Sequence, residues 1–228
     1  TSSFRKFLYK LVLDTPSGCP AGKKTHGNGG FHELNFFKRL IEGTSYHVND
    51  YTIDSGSLFS LSSAHITLET KLNLKSTGKA AIGLKNVSGR LFAETIEEIK
   101  NFLDISKRES DLSYRLINDS YDYIWIVFQS GKVEDIISCI SATGEIVHDR
   151  GFSKQLFVAM FQFRNYNNKK TDNYLVYNYA MNKFYPFVPL GKNERDNKIE
   201  NEIMETVLDE MPFERDESLW YPIWNLTL

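Results

Sequence analysis

The run Tyr174–Met181, YLVYNYAM, contains neither a charged residue nor a proline. Mixed aliphatic, β-branched and aromatic side chains over that length suit a strand that is covered on both faces and paired on both sides, so it is expected as a central strand of a sheet. Beyond Met181 the chain changes character abruptly. Pro186 and Pro189 remove two backbone donors and Gly191 comes soon after, which predicts that regular pairing stops somewhere around Phe184 to Gly191 and that a rigid aromatic loop results. Asn193, with Glu194 and Asp196 behind it, then offers a cap and first-turn acids for a helix. Along that helix Ile199, Ile203, Met204, Val207, Leu208 and Met211 recur at helical spacing, leaving Glu200, Glu202, Glu205, Asp209 and Glu210 for an acidic outer face.

The segments upstream must supply the cover and the neighbours. From Asp54 the leucines 58, 61, 68 and 72 and His65 share one face of a helix. Lys79–Lys85 predicts a strand, closed by a turn at 86–89, and Phe92, Ile96, Ile99, Phe102 and Leu103 predict a second helix. Leu112–Asn118 and Tyr121–Phe128 form a hairpin across Asp119 and Ser120, and a third helix follows through Val133, Ile136, Ile137, Ile140 and Val147 to a stop at Arg150 and Gly151. Gln155–Phe163 is another strand, joined to the uncharged run by the polar loop 165–172. The order αβαββαββα, with strands arriving in hairpins, indicates an α+β domain: an antiparallel sheet with helices on one face.

At 228 residues, 41% of them hydrophobic, the chain can bury one substantial core. Apolar stretches are interrupted well before the roughly 18 residues a membrane-spanning helix needs. A net charge of −2 and a pI near 6.2 lack the electrostatic drive of nonspecific nucleic-acid binding, so no nucleic-acid partner is expected. Cys19 sits in a Gly/Pro-rich loop and Cys139 in an apolar helix, which argues against a disulfide framework and fits a cytoplasmic setting. The charge is uneven: residues 1–41 carry a net +5. Phe4, Phe7, Leu8, Leu11 and Val12 oppose Arg5, Lys6 and Lys10, a pattern open to a helix lying on an anionic membrane, a helix docked on a core, or an extension left by expression. A linker-like stretch runs from Thr15 to Gly30. Asn35–Gly43 is a short amphipathic docking arm. The domain reading is an N-terminal extension over 1–34 and one domain over 35–228.

Candidate chemistry is thin. Cys19, His26 and His32 lack a fourth ligand and a zinc spacing, so no metal or cofactor is expected. His65 among leucines and His148 at a helix end suit structural roles, and Cys139 suits a buried, inert thiol. The glycines 27, 29 and 30 lack the Lys and Ser/Thr of a phosphate loop. Two groups remain. Glu194, Arg195, Asp196 and Asn197 at a helix start could meet a charged ligand or serve capping and pairing. Phe184, Tyr185 and Phe187 with Trp220, Tyr221 and Trp224 repeat an aromatic-Tyr-Pro unit, and are expected to pack together as a small core or to form a docking surface.

The runs SLSSAHITLETKLNLKSTGKAAIGLKNVSG, DSYDYIWIVFQ, GFSKQLFVAMFQF and NKFYPFVPLGKNERDN with the terminal LWYPIW resemble the PspAB family, PspA-associated protein B, over roughly residues 35–226. The resemblance implies a soluble companion of PspA, the coiled-coil membrane-stress protein of the phage-shock response, with no established enzymatic chemistry. The leading expectation built on it is a noncatalytic adaptor or regulator that binds PspA or another coiled-coil membrane-stress protein at the cytoplasmic side of the membrane, with peripheral contact to the inner face of the cell membrane and a homodimer left open. The partner-binding candidates are then Phe184, Tyr185, Phe187, Arg195, Asp196, Asn197, Trp220, Tyr221 and Trp224. The element order also resembles the secretion-chaperone-like fold, which leaves a chaperone-like dimer open. A small-molecule-binding or hydrolytic domain using Arg195, Asp196 and a histidine is the alternative from another class.

Overall fold

The fold is built on one six-stranded antiparallel sheet in the order β2-β3-β1-β4-β5-β6, seen in a computed structural model that describes residues 53–166, 171–191, 193–224 and 228. The expectations for Cys19, His26, His32, the basic N-terminal helix and the arm at 35–43 lie outside the described residues. Two helices lead in, α1 (Ser55–Phe59) and α2 (Leu61–Leu72), where the sequence predicted one. Asp54 caps α1 by accepting from the Ser57 N–H, and the chain turns at Ser60 before α2 begins.

Strand β1 spans Leu74–Lys85, five residues earlier than expected, because Gly78 at φ +71° lets the strand bulge and continue. A Cβ there would lie 2.3 Å from the Ser130 carbonyl oxygen, so the backbone needs glycine for close approach as well as for its left-handed φ. After α3 (Arg90–Glu109) come β2 (Leu112–Asn118) and β3 (Tyr123–Ser130). Their turn is longer than the two residues expected. Asp119 organises it, accepting from the N–H groups of Tyr121 and Tyr123 and from Trp125 Nε1 at 2.8–2.9 Å. Helix α4 (Val133–Asp149) and strands β4 (Leu156–Asn165) and β5 (Asp172–Asn178) come next, as the periodicity predicted.

The uncharged run does lie inside the sheet: β5 pairs with β4 on one side and with β6 (Lys183–Phe187) on the other, second from the edge. Pairing with β5 does stop within 184–191, after Phe187, but the expected aromatic loop is strand as far as that residue. The Phe184 N–H points away from β5, donating to the Pro212 carbonyl at 2.8 Å. Pro186, two residues on, therefore directs its missing donor outward too, and no ladder bond is lost. A two-stranded ribbon, β7 (Pro189–Gly191) and β8 (Glu194–Arg195), leads to α5 (Asn197–Val207).

Alternate residues of each strand face the helices. Ile82 and Leu84 of β1, Ile126 and Phe128 of β3, Phe161 and Phe163 of β4, and Leu175 and Tyr177 of β5 form one core with Leu61, Leu68, Ile99, Leu103, Ile137, Ile140, Ile203 and Val207 of the helices. The architecture is thus α+β with the helices gathered on one face, plus a sixth strand. On the opposite face Tyr185, Phe187 and the C-terminal segment meet. No helix among the described residues is long and apolar enough to cross a membrane.

Candidate functional site

At the outer edge of β6 the sheet ends, and its unpaired backbone groups need partners. The 212–214 segment supplies the first: Phe184 donates to Pro212, and the Glu214 N–H returns to the Phe184 carbonyl at 2.9 Å. Further along, Arg195 Nη2 donates to the Pro186 carbonyl at 3.0 Å, while the Val188 N–H donates to Glu200 Oε1 at 2.7 Å. The Asp196 N–H closes the row on the Val188 carbonyl at 2.8 Å. Side chains of β8 and α5 thus complete the edge that a seventh strand would otherwise occupy.

Arg195 and Glu200 also bind each other. Arg195 Nε donates to both carboxylate oxygens at 2.8–2.9 Å, and Nη1 donates to the Trp220 carbonyl at 2.7 Å. The guanidinium carbon lies 5.6 Å from the Phe187 ring centre and 5.9 Å from that of Trp220, within cation–π range. Burial pushes the Glu200 carboxyl above its ordinary value, against the opposing bonds from Arg195 and from the Val188 N–H. One ion pair therefore joins the β6 edge, α5 and the C-terminal segment.

The sequence assigned Glu200 to the outer face; it is wholly buried. It stands three and seven residues before the buried Ile203 and Val207, so the helical wheel itself turns it inward, and its charge obscured that signal. The expected cap is also displaced. Asn193 sits in the ribbon turn at φ +58°, and Asp196 caps α5 by accepting from the Ile199 N–H at 3.1 Å.

Of the nine candidate residues, Tyr185, Phe187, Arg195, Trp220, Tyr221 and Trp224 come together here, Asp196 and Asn197 start α5 beside them, and Phe184 faces the helix-side core against Tyr177 and Phe213. Phe184, Tyr185, Phe187, Trp220 and Tyr221 are buried, Arg195, Asp196 and Trp224 are half-buried, and Asn197 is exposed. The two aromatic-Tyr-Pro units do pack together. Tyr185 OH donates to the Tyr221 carbonyl at 3.0 Å, and Trp224 meets Phe187 edge-on with ring centres 5.1 Å apart. Trp220 Nε1 donates to the Glu214 carbonyl at 2.7 Å. The outward-facing part is the row on α5 and just beyond it, where Glu202, Glu205, Asp209 and Glu210 are exposed.

Other sequence candidates sit apart from this group. His65 Nδ1 lies 3.2 Å from the Leu61 carbonyl, and His148 Nδ1 lies 2.7 Å from Ser153 Oγ at the end of α4. Cys139 is buried, and that burial raises its thiol pKa, the opposite of what a nucleophile needs. Among the described residues no group of three His, Cys, Asp or Glu side chains could hold a metal ion.

Comparison with known proteins gives one match. The family model described as PspA associated protein B covers residues 35–228. No curated protein matches the chain, and no solved structure matches it. With the match spanning the whole described domain, the chain belongs to the PspAB family, PspA associated protein B.

Proposed function

We propose that this chain is a noncatalytic adaptor that binds PspA on the cytoplasmic side of the cell membrane, with the acidic outer row of α5 as part of its contact surface. The family description supplies the partner. The observation that carries the reading is the division of α5 into two faces. Its inner face is fixed to the sheet edge and the C-terminal segment through Glu200 and Arg195, while Glu202, Glu205, Asp209 and Glu210 stand in water. A charged row on a rigidly held helix suits recognition of a complementary charged surface, giving specificity and a faster encounter.

The same geometry weighs against a hydrolytic or small-molecule reading of Arg195 and Asp196. Each of the three guanidinium nitrogens of Arg195 already donates within the fold, and the Asp196 carboxylate caps α5. A substrate would have to share both side chains with these structural bonds. The test is affinity purification of the tagged full chain from cells under membrane stress, with PspA followed by its own antibody. PspA is expected in the eluate, at a reduced level when Glu202 and Glu205 are both changed to lysine; its absence from the wild-type eluate counts against the reading.

A further inference from the structure

The exposed side of α1 and α2 carries a pattern that the inner core does not use. Gly56 and Phe59 of α1 and Ser63, Ile66 and Thr70 of α2 follow one another at spacings of three, four, three and four across the turn at Ser60; none of them is buried, and Phe59 and Ile66 are the large apolar ones. Phe59 is 43% and Ile66 56% exposed, although Leu58, Leu61, Ala64 and Leu68 already supply the inward face. Single exposed apolar residues are ordinary on a protein surface. Leu91 and Ile105 of α3 are of that kind, standing among Arg90, Glu94, Glu97, Glu98, Lys107 and Arg108. The α1–α2 seam differs, because the 14 residues from Ser55 to Leu68, SGSLFSLSSAHITL, contain no Asp, Glu, Lys or Arg.

Acidic side chains border this uncharged ridge. Helix α2 packs against both α4 and α5. On the α4 side, His65 Nε2 lies 4.0 Å from Glu134, and Ser55 Oγ donates to Glu145 at 2.9 Å; both carboxylates belong to exposed residues. Near α5, Lys71 and Leu72 share a surface hollow of about 210 Å³ with Ile199 and Glu202, and Glu205 comes one turn later. Lys75, at the end of the ridge, is paired with Glu69 at 3.0 Å.

We infer that the Phe59–Ile66 ridge of α1 and α2 is a docking seam for a partner helix that presents an apolar heptad face flanked by lysine or arginine. A second copy of this chain is the wrong occupant, since a two-fold contact through the ridge would bring the same carboxylates face to face. An anionic bilayer is disfavoured by the same acids. Basic flanks on a helix meet them favourably, and Phe59 and Ile66, seven residues apart, match the repeat of an apolar heptad on such a helix. This deepens the adaptor reading by naming a second face and the chemistry of the helix it takes, and it is tested apart from that reading.

The probes are two synthetic peptides of about three heptads with leucine at a and d, one with lysine and one with glutamate at e and g, titrated against the full chain. The lysine-flanked peptide is expected to bind, more weakly as salt rises, and the glutamate-flanked one not to bind. Ile66→Glu should weaken binding by about tenfold or more, and Phe59→Ser similarly, with the thermal midpoint unchanged because both sites are exposed. Equal binding by Ile66→Glu, equal affinity for the two peptides, or no binding by the wild type would overturn the inference. So would a wild-type dimer that Ile66→Glu splits, or capture by phosphatidylglycerol vesicles that the same variant abolishes. A chain that binds the lysine peptide through Ile66 yet ignores PspA would sink the adaptor reading alone.

Discussion

Arg195 Nε lies 2.8 Å from Oε2 of Glu200, and around that single contact the β6 edge, helix α5 and the C-terminal segment are held together. The Glu200 side chain is 1% and that of Arg195 19% exposed, so the carboxylate is cut off from water, and the guanidinium largely so, if its partner is lost. Removing one member, by Arg195→Ala or Glu200→Ala, should destabilise the fold by about 3 to 5 kcal/mol in urea unfolding. The paired apolar replacement Arg195→Met with Glu200→Leu should cost less than the sum of the single changes. Strict additivity would mean that the two groups do not act as a pair.

The same carboxylate gives a pH dependence of definite sign. Its folded pKa lies above 4.5, so as pH falls the folded chain takes up this proton before the unfolded chain does. Glu200 therefore contributes stability that is full below 4.5 and is lost as pH rises through its folded value. Glu200→Gln, which stays neutral, removes that dependence. In urea unfolding from about pH 7 down to about pH 4.5, the stability difference should move in favour of the wild type; a flat or opposite trend would show that Arg195 outweighs burial.

Trp220 is 4% exposed, and its indole donates to Glu214 while its carbonyl accepts from Arg195. Trp220→Ala should cost about 3 to 5 kcal/mol and lower the thermal midpoint visibly. An unchanged midpoint with lost partner capture would make the C-terminal segment a recognition element instead.

Gly83 and Trp125 face each other across β1 and β3, and a Cβ on Gly83 would lie 2.7 Å from the indole ring. Gly83→Ala should destabilise by about 1 to 3 kcal/mol, and Trp125→Val in the same chain should recover part of that loss. If the double variant is no more stable than the sum of its parts, the ring is not what excludes the methyl group.

Much of this fold was legible in the sequence because periodicity reports burial directly. The uncharged run at 174–181 marked an interior strand, although the strand ends at Asn178, and α3, α4 and the α5 core positions matched the spacing of their apolar residues. Errors arose where a local signal competed with a tertiary partner. Pro186 looked like a strand breaker, because only the fold reveals that its nitrogen faces away from β5. Glu200 looked like a solvent residue, because its charge hid a helical position that the buried Ile203 and Val207 mark as inward. The aromatic units were placed together correctly, but the Arg195 bonds that lock them run to main-chain carbonyls of Pro186 and Trp220, which no side-chain pattern announces.

The most direct test of the adaptor role is titration of the purified full chain with purified PspA, read by calorimetry or sedimentation. A saturable complex is expected at micromolar concentration or tighter, weakened by raised salt and by Glu202→Lys with Glu205→Lys, while the thermal midpoint of the variant stays that of the wild type. No complex between the two folded proteins at about 100 μM, or a complex indifferent to both salt and charge reversal, would contradict it.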